Sequence, residues 1–309
     1  MNEDSVIWVT GASGFVGRNL VEELKLRGYT NVLTEKVDLL EKDSVEHFLV
    51  REEPETIFHC AAVVGGIQAN INNPYKFLYE NLQITTNLFS CAIDNGVKKV
   101  LNLCSSCVYP KDYTQPLKEE YLLAAPLEPT NEGYAIAKIA ALKLAEYANK
   151  TQKDTSFISL MPCNLMGPHD HFESENSHFL AALISKFYIA KKNNVPSVTV
   201  WGDGKSKREL IYVKDLVDGM IWAVDNSDKI DSFLNIGTGI DYSIESYVDF
   251  IKSHVGYEGE VKWDFTKPNG MRQKVLDVSK INSLGWKAKT NVITGIFKTI
   301  DWYIERKNK

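Results

Sequence analysis

The sequence predicts an α/β protein built on a doubly wound parallel sheet, with a smaller, interwoven α/β domain toward the C-terminus. Three observations predict this fold. Short β-branched runs alternate with amphipathic stretches through the first half, a glycine-rich turn joins the first run to the second, and no repeat or low-complexity linker divides the 309 residues. With 44% apolar and 24% charged residues, the chain can bury a sizeable core as one large or two small domains.

Taken in order, the apolar run V-I-W-V-T (6–10) is a strand and the amphipathic stretch from about Gly14 to Arg27 a helix. N-V-L-T-E (31–35) is a second strand, 43–51 a helix, T-I-F-H-C (56–60) a third strand, 75–95 a long helix and K-V-L-N-L-C-S (99–105) a fourth strand. Strand, helix and strand repeated in this way imply right-handed crossovers and a parallel sheet covered on both faces. A helix carrying Tyr134 and Lys138 follows, then S-F-I-S-L-M-P (156–162), a helix near 177–193, S-V-T-V-W-G (197–202) and F-L-N-I-G (233–237). The second domain is then woven from residues about 165–202 and 239–309, leaving 1–164 and about 203–238 to the first.

Composition excludes several function classes. A net charge of −5 gives no basic field for a nucleic-acid backbone, although local Lys and Arg can still meet a phosphorylated small ligand. No run of 18 apolar residues exists, and M-N-E-D-S-V-I-W-V-T-G passes from an acidic start directly into a strand. Neither a membrane span nor a signal peptide is expected, and a cytoplasmic enzyme is the default. The five cysteines, Cys60, Cys91, Cys104, Cys107 and Cys163, are odd in number and lie in apolar contexts, against a disulfide framework. C-S-S-C lacks a second ligand pair, and His169 and His171 at i, i+2 do not supply one, so no metal is expected.

The dinucleotide signal is V-T-G-A-S-G-F-V-G-R-N-L. Gly11, Gly14 and Gly17 fall between a predicted strand and a predicted helix, with Ser13, Phe15, Val16 and Arg18 on the same turn. Glycines there permit a tight turn, close approach of backbone to a pyrophosphate and close helix–strand packing, while the helix N-terminus favours anions. The fold is therefore Rossmann-like. At the end of the second strand, Glu35 suits a ribose 2′-hydroxyl and hence NAD, whereas Lys36 and Arg18 suit a 2′-phosphate and hence NADP. Asp38 and Leu39 of V-D-L-L fit beside the adenine. Each of these is equally readable as a solvated loop residue.

The chemical signal lies at the end of the fourth strand. L-N-L-C-S-S-C-V-Y-P delivers Ser105, Ser106 and Cys107 to the carboxyl edge, where open α/β sheets bind ligands. Simple turn chemistry explains such serines equally well in isolation. About thirty residues on, N-E-G-Y-A-I-A-K-I-A places Tyr134 and Lys138 one helical turn apart. With the glycine turn and the serine, this pair matches a mechanism in which the Tyr hydroxyl exchanges a proton with a carbonyl or alcohol oxygen. A nearby ammonium is expected to favour the phenolate, the Ser hydroxyl to donate to the same oxygen, and Lys138 to hold the nicotinamide ribose.

Here the chain resembles the extended short-chain dehydrogenase/reductase family, and within it the GDP-L-fucose synthases (GDP-4-keto-6-deoxymannose 3,5-epimerase-4-reductases). The resemblance runs over nearly the whole chain and is carried by TGASGFVG, AAVVGGIQANINNP, CSSCVYP, LEPTNEGYAIAKIA, MPCNLMGPHDHF, NSHF, VTVWGDGKSKREL and TKPNGMRQKVLDV. It implies NADPH as cofactor, a GDP-linked 4-keto-6-deoxy sugar as substrate and a homodimer formed through helices 75–95 and 134–149. Ser105, Tyr134 and Lys138 are implied as the reductase triad, and Cys107 and His178 as the acid/base pair that epimerises carbons beside the keto group. Ala61, Ala62, Leu103, Pro162, Asn164, Leu165 and His178 are implied along the cofactor. Ser106, Cys107, Asn164, Lys186, Trp201, Arg208 and Lys274 are implied at the nucleotide-sugar, where two phosphates call for cations and an aromatic surface suits a sugar or base face.

The chain departs from the family pattern at Cys104, Cys163, Met166, Leu210, Arg272 and Gln273. These positions line or flank the sugar site, leaving the reductase chemistry intact and the sugar, hexose or heptose, open. Two other readings are open at this stage. An NAD-dependent 4-epimerase or 4,6-dehydratase is one, although a dehydratase is expected to carry an Asp-Glu pair after its Ser or Thr, and CSSCVYP has none. A non-catalytic NADPH-binding scaffold or redox sensor is the other. Loss of Tyr134 or Lys138 would mark it, and both are present.

Overall fold

The computed structural model describes residues 1–152, 154–172, 177–231, 233–267 and 270–308. Asn176 of the N-S-H stretch, and Pro268 and Asn269 of T-K-P-N-G, lie outside the described residues.

The first part runs β1 (Ile7–Thr10), α1 (Phe15–Leu26), β2 (Val32–Leu33), α2 (Lys42–Glu52), β3 (Thr56–His59), α3 (Ile67–Asn72), α4 (Pro74–Asp94), β4 (Lys99–Leu103), α5 (Glu132–Thr151) and β5 (Ser156–Pro162). The second runs β6 (Asn164–Met166), α6 (Phe179–Lys192), β7 (Ser197–Trp201), β8 (Lys207–Tyr212), α7 (Val213–Asp225), β9 (Phe233–Ile236), β10 (Asp241–Ser243), α8 (Ile244–Val255), β11 (Glu260–Asp264), β12 (Gln273–Lys274), α9 (Ser279–Ser283) and α10 (Val292–Lys307).

Six strands form one parallel sheet in the order β2-β1-β3-β4-β5-β9. The chain leaves β1 toward one edge and returns through β3 on the other side, so a crevice opens beyond the carboxyl ends of β1 and β3. Both faces are covered, as an all-parallel sheet requires. Successive strand residues point to opposite faces, and the packing follows that alternation. Ile7 and Val9, Phe58, Leu101, and Ile158 and Leu160 share one core with Leu216 and Met220 of α7. Trp8, Ile57, Val100 and Phe157 share the opposite one with Phe48 of α2 and Leu88 and Phe89 of α4.

A third apolar core joins Leu180, Ile184 and Phe187 of α6 to Leu210 and Tyr212 of β8, Tyr247 and Ile251 of α8, and Ile296 and Ile300 of α10. There β8 pairs with β6, β10 and β12, and β7 pairs with β11. The doubly wound parallel sheet is as the sequence predicted, with some boundaries corrected. The second strand is only Val32–Leu33, because just two residues pair with β1 at the sheet edge. The fourth ends at Leu103, and α3 was not foreseen.

Candidate active site

The turn after β1 is shaped by what a side chain would strike. Gly11 has φ +66°, and a Cβ there would lie 3.0 Å from the Ala61 backbone. A Cβ on Gly17 would be driven into the Gly11 carbonyl oxygen and to 2.8 Å from Ala12 Cα. The Gly14 amide donates to the Gly11 carbonyl at 2.9 Å, and α1 starts after Gly14 with no side-chain cap and no acidic residue in its first turn. Its orphan N–H groups are the donors a pyrophosphate needs. Ser13 and Arg18 are exposed and Phe15 is buried, while Arg18 Nε donates to the Ser13 carbonyl at 2.8 Å.

Neighbouring strands fix the rest of the cradle. The Ala61 amide donates to Thr10 Oγ1 at 3.2 Å, and Thr10 Oγ1 shares a 2.9 Å hydrogen bond with His59 Nδ1. Just past Ala61 and Ala62, the buried Asn81 side chain accepts from the Val63 amide and donates to its carbonyl, both at 3.0 Å. Asp38 is exposed and caps the Leu40 amide at 3.0 Å, while Asn87 of α4 holds the Leu39 and Leu40 carbonyls. Glu35 is ion-paired with Arg51 at 2.5 Å, and Lys36 stands exposed beside it. The opposing charges read from the sequence are thereby separated: the carboxylate is already engaged.

At the end of β4, Ser105 is extended and its Oγ accepts from the Cys107 amide at 3.2 Å, capping a single 3₁₀ turn, Ser106–Val108. Tyr109 pins the far side of that turn through its hydroxyl to Asn235 Oδ1 at 2.6 Å. Ser106 is buried. On α5, Lys138 is buried, and its Nζ donates to the Leu103 carbonyl at 3.1 Å while lying 5.8 Å from the Tyr134 ring centroid. The expected lowering of the phenol by the ammonium is corrected here. Burial, with the Cys107 and Cys104 sulfurs adding to it, pushes Tyr134 well above the usual tyrosine range. Burial also lowers Lys138, because its ammonium is dry.

Cys107 Sγ accepts from Asn131 Nδ2 at 3.2 Å and from Lys274 Nζ at 3.8 Å. Lys274, expected among the nucleotide-sugar cations, therefore stands beside the thiol. His178 is the N-cap residue of α6, with its ring centroid 6.2 Å from Phe15 and its Nδ1 2.9 Å from Asp170 Oδ1. Burial lowers His178, but its hydrogen bond to Asp170 and that carboxylate's charge together raise it above the ordinary histidine value.

Beyond Pro162, which closes β5, Asn164 and Leu165 lie in β6, and Asn164 Nδ2 donates to the Glu209 carbonyl at 3.0 Å. The buried Glu209 carboxylate accepts the amides of Thr238 at 2.6 Å and of Gly239 and Leu276 at 2.7 Å, clamping the loop after β9 to the segment that follows Lys274. Further out, Lys186 Nζ bonds the Thr199 carbonyl on β7, Trp201 is 66% exposed, and Lys267 lies 5.2 Å from the centre of its ring. Arg208 donates to the Met271 carbonyl at 2.7 Å, and desolvation lowers both Lys186 and Arg208. Asn131, Asp170, Asn81, His59 and Glu209 escaped sequence reasoning. Polar residues inside apolar strands and helices were the available signal for His59 and Asn81.

Residues 7–237 match the model of the NAD dependent epimerase/dehydratase family. The chain belongs to that family. Within it, the chain is 41% identical over 304 residues to GDP-L-colitose synthase of Yersinia pseudotuberculosis, covering 98% of this chain and 99% of the relative. It is 43% identical over 307 residues to GDP-L-fucose synthase 1 of Arabidopsis thaliana, covering 98% and 94%. The structure superposes with a TM-score of 0.90 and 34% identity on a GDP-mannoheptose C4 reductase from Campylobacter jejuni with NADP bound, over 98% of this chain and 99% of that one. The resemblance to the GDP-L-fucose synthase group of extended short-chain dehydrogenase/reductases is thus borne out. Family membership gives the glycine cradle and the Tyr134–Lys138 helix a common setting. Among the described residues no group of His, Cys, Asp and Glu is arranged to hold a metal, and no helix is long and apolar enough to cross a membrane.

Proposed function

We propose that this protein is an NADPH-dependent 4-ketoreductase of a GDP-linked 4-keto-6-deoxy sugar, hexose or heptose, in activated deoxysugar biosynthesis, and that it also exchanges protons at the carbons flanking the ketone, as a 3,5-epimerase. The observation that carries this reading is the arrangement at the end of β4. One turn bears Ser105 and Cys107, its base is tied to Lys138, and Tyr134 lies one helical turn away.

The cradle fits a dinucleotide, since glycines at 11 and 17 let the turn pack tightly against its own backbone and Ala61 while α1 begins with no side-chain cap and no acidic residue in its first turn. Lys36 and Arg18 would hold the 2′-phosphate, with Glu35 occupied by Arg51, and Asp38 and Leu39 would flank the adenine. Ala61, Ala62, Leu103, Pro162, Asn164 and Leu165 would follow the cofactor toward its nicotinamide end. Bound there, NADPH supplies the hydride that reduces the ketone carbon.

The chain's own residues manage the protons. Tyr134, kept protonated by burial, gives its proton to the ketone oxygen while Ser105 donates a hydrogen bond to that atom. Lys138 anchors the turn and holds the nicotinamide ribose. The ketone acidifies C3–H and C5–H, so Cys107 and His178 remove and return protons there. Lys186 and Arg208 bind the diphosphate, Trp201 offers a face to the sugar or base, and Lys274 works beside Cys107 at the keto-sugar. Residues 1–164 with about 203–238 serve the cofactor, and about 165–202 with 239–309 serve the sugar. The protein works in the cytoplasm as a homodimer, with exposed Tyr75, Tyr79, Ile136 and Tyr147 of α4 and α5 as the contact.

Incubation with NADPH and a panel of GDP-4-keto-6-deoxy sugars in D₂O tests this reading. Oxidation of the cofactor with deuterium at C3 or C5 of the product is expected. No cofactor oxidation with any of these sugars would overturn it.

A further inference from the structure

We propose that Asp170 is the positioning residue for His178, holding its imidazole by Nδ1 so that Nε2 is the nitrogen that carries the proton to the sugar. The proposal rests on the acid/base role given to His178 above. The two side chains divide the labour by exposure: the Asp170 side chain is 1% exposed and that of His178 is 55% exposed. A dry carboxylate thus meets an imidazole open to a ligand.

The loop that delivers Asp170 is built for the purpose. Gly167 has φ +148°, where a Cβ would be driven into the Val213 side chain, and His169 takes the left-handed conformation at φ +68°. The fully buried Asn19 of α1 donates to the Pro168 carbonyl at 2.8 Å, and Glu22 of α1 bonds His169 Nε2 at 2.7 Å. His169 also packs edge-on against Trp302 at 5.2 Å. The helix that opens with the glycine cradle therefore also carries the loop that sets His178. Asp170 Oδ1 accepts the His171 amide at 2.8 Å besides the imidazole, which fixes its orientation. Phe15 of α1 packs on the imidazole as an uncharged ring, so among the described residues Asp170 is the one charged group bonded to His178.

The chemistry follows from the donor rules of the ring. With Nδ1–H given to Asp170, the imidazolium holds its second proton on Nε2. When a C–H bond next to the ketone breaks, its proton passes to the Cys107 sulfur and its electron pair delocalises onto the ketone oxygen; the pair then returns to the carbon and takes a proton from Nε2–H on the opposite face. The ring is left neutral with Nδ1–H still on Asp170, and the carboxylate takes no proton itself.

Asp170→Asn and Asp170→Glu test this, with folding checked by thermal unfolding. In the NMR titration of His178 in the otherwise unaltered protein, the Asn variant is expected to lose its proton at lower pH than wild type, and the Glu variant to recover part of the difference. Deuterium incorporation beside the ketone, taken relative to hydride transfer, is expected to fall at least roughly tenfold in Asp170→Asn, with its pH optimum displaced downward. An unmoved titration overturns the proposal, as does unaltered relative incorporation where His178→Asn abolishes it. If His178→Asn itself exchanges like wild type, the acid/base reading of His178 fails, and the titration alone then decides whether Asp170 sets the imidazole.

Discussion

His59 gives the structure a defined weakness toward acid. It ends β3 with 1% exposure, shares one hydrogen bond with Thr10 through Nδ1, and leaves a buried Nε2 without a partner. Burial first, and the Lys138 charge second, hold it down to about 3 from an ordinary 6.5. Protonation would put an unpartnered charged N–H in the floor of the cradle, facing an ammonium. Because the folded value is depressed, the unfolded chain binds more protons between pH about 3 and 6.5, and stability rises with pH across that window and levels above it. One group contributes a slope of about 1.4 kcal/mol per pH unit, and the full displacement corresponds to roughly 5 kcal/mol. Urea denaturation of wild type and His59→Asn at successive pH values isolates this slope. The cavity left by the smaller side chain adds a constant offset, whereas the difference between the two proteins changes with pH only through His59. A pH-independent difference, or an imidazole NMR signal lost in the variant that titrates above pH ~5, would refute the reasoning.

Tyr134→Phe removes only a hydroxyl and is expected to slow reduction by ~10²–10⁴-fold while cofactor binding survives; an unaltered rate at saturating substrate would sink the assignment. Lys36→Ala is expected to weaken NADPH by roughly 10- to 100-fold and NADH far less, because a charged hydrogen bond to a 2′-phosphate is worth about 1.5–3 kcal/mol. Equal losses for both cofactors, read from specificity constants, would remove Lys36 from the phosphate site. Cys107→Ser keeps the volume but not the acidity of the group, so deuterium exchange should collapse and reduction of an already epimerised 4-keto sugar should fall much less. Wild type that reduces its substrate without taking up solvent deuterium would make it a ketoreductase alone.

What the sequence made legible were features whose geometry is local. The glycine turn, the delivery of Ser105 and Cys107 to the carboxyl end of the fourth strand and the one-turn spacing of Tyr134 and Lys138 each follow from a single element. Residues set by distant chain were hidden. Lys274 reads as one more phosphate cation, but β12 pairs Lys274 with Arg208 of β8, and alternation along the strand sends Lys274 to Cys107 and Gln273 to Asp241. Asp170 is placed by Asn19 and Glu22, about 150 residues away in sequence, so no spacing near His178 announces it. His59 is a polar residue in an otherwise largely apolar run, and its bond to Thr10 on the neighbouring strand is set only by the sheet register. Glu209 looks like a neighbour of Arg208 until the three amides it collects from two other segments are seen.

The two proposed chemistries meet at the ketone oxygen. Removing a proton beside a ketone places negative charge on that oxygen, and transferring hydride to the ketone carbon places it there again. In the proposed site Ser105 and Tyr134 donate to the oxygen in both cases, whereas Cys107 and His178 address only the flanking carbons. A phenol that burial keeps protonated can stabilise the enolate by hydrogen bonding without surrendering its proton, and then give the proton up once hydride has arrived and the oxygen has become a stronger base. Tyr134→Phe should consequently impair exchange as well as reduction, with loss of one such donor costing ~10²–10³-fold, while Cys107→Ser impairs chiefly exchange. Deuterium uptake measured with oxidised cofactor, which supplies no hydride, separates the two. A Phe variant that exchanges at the wild-type rate under those conditions would show that Tyr134 does not bind the enolate oxygen and serves the hydride step alone.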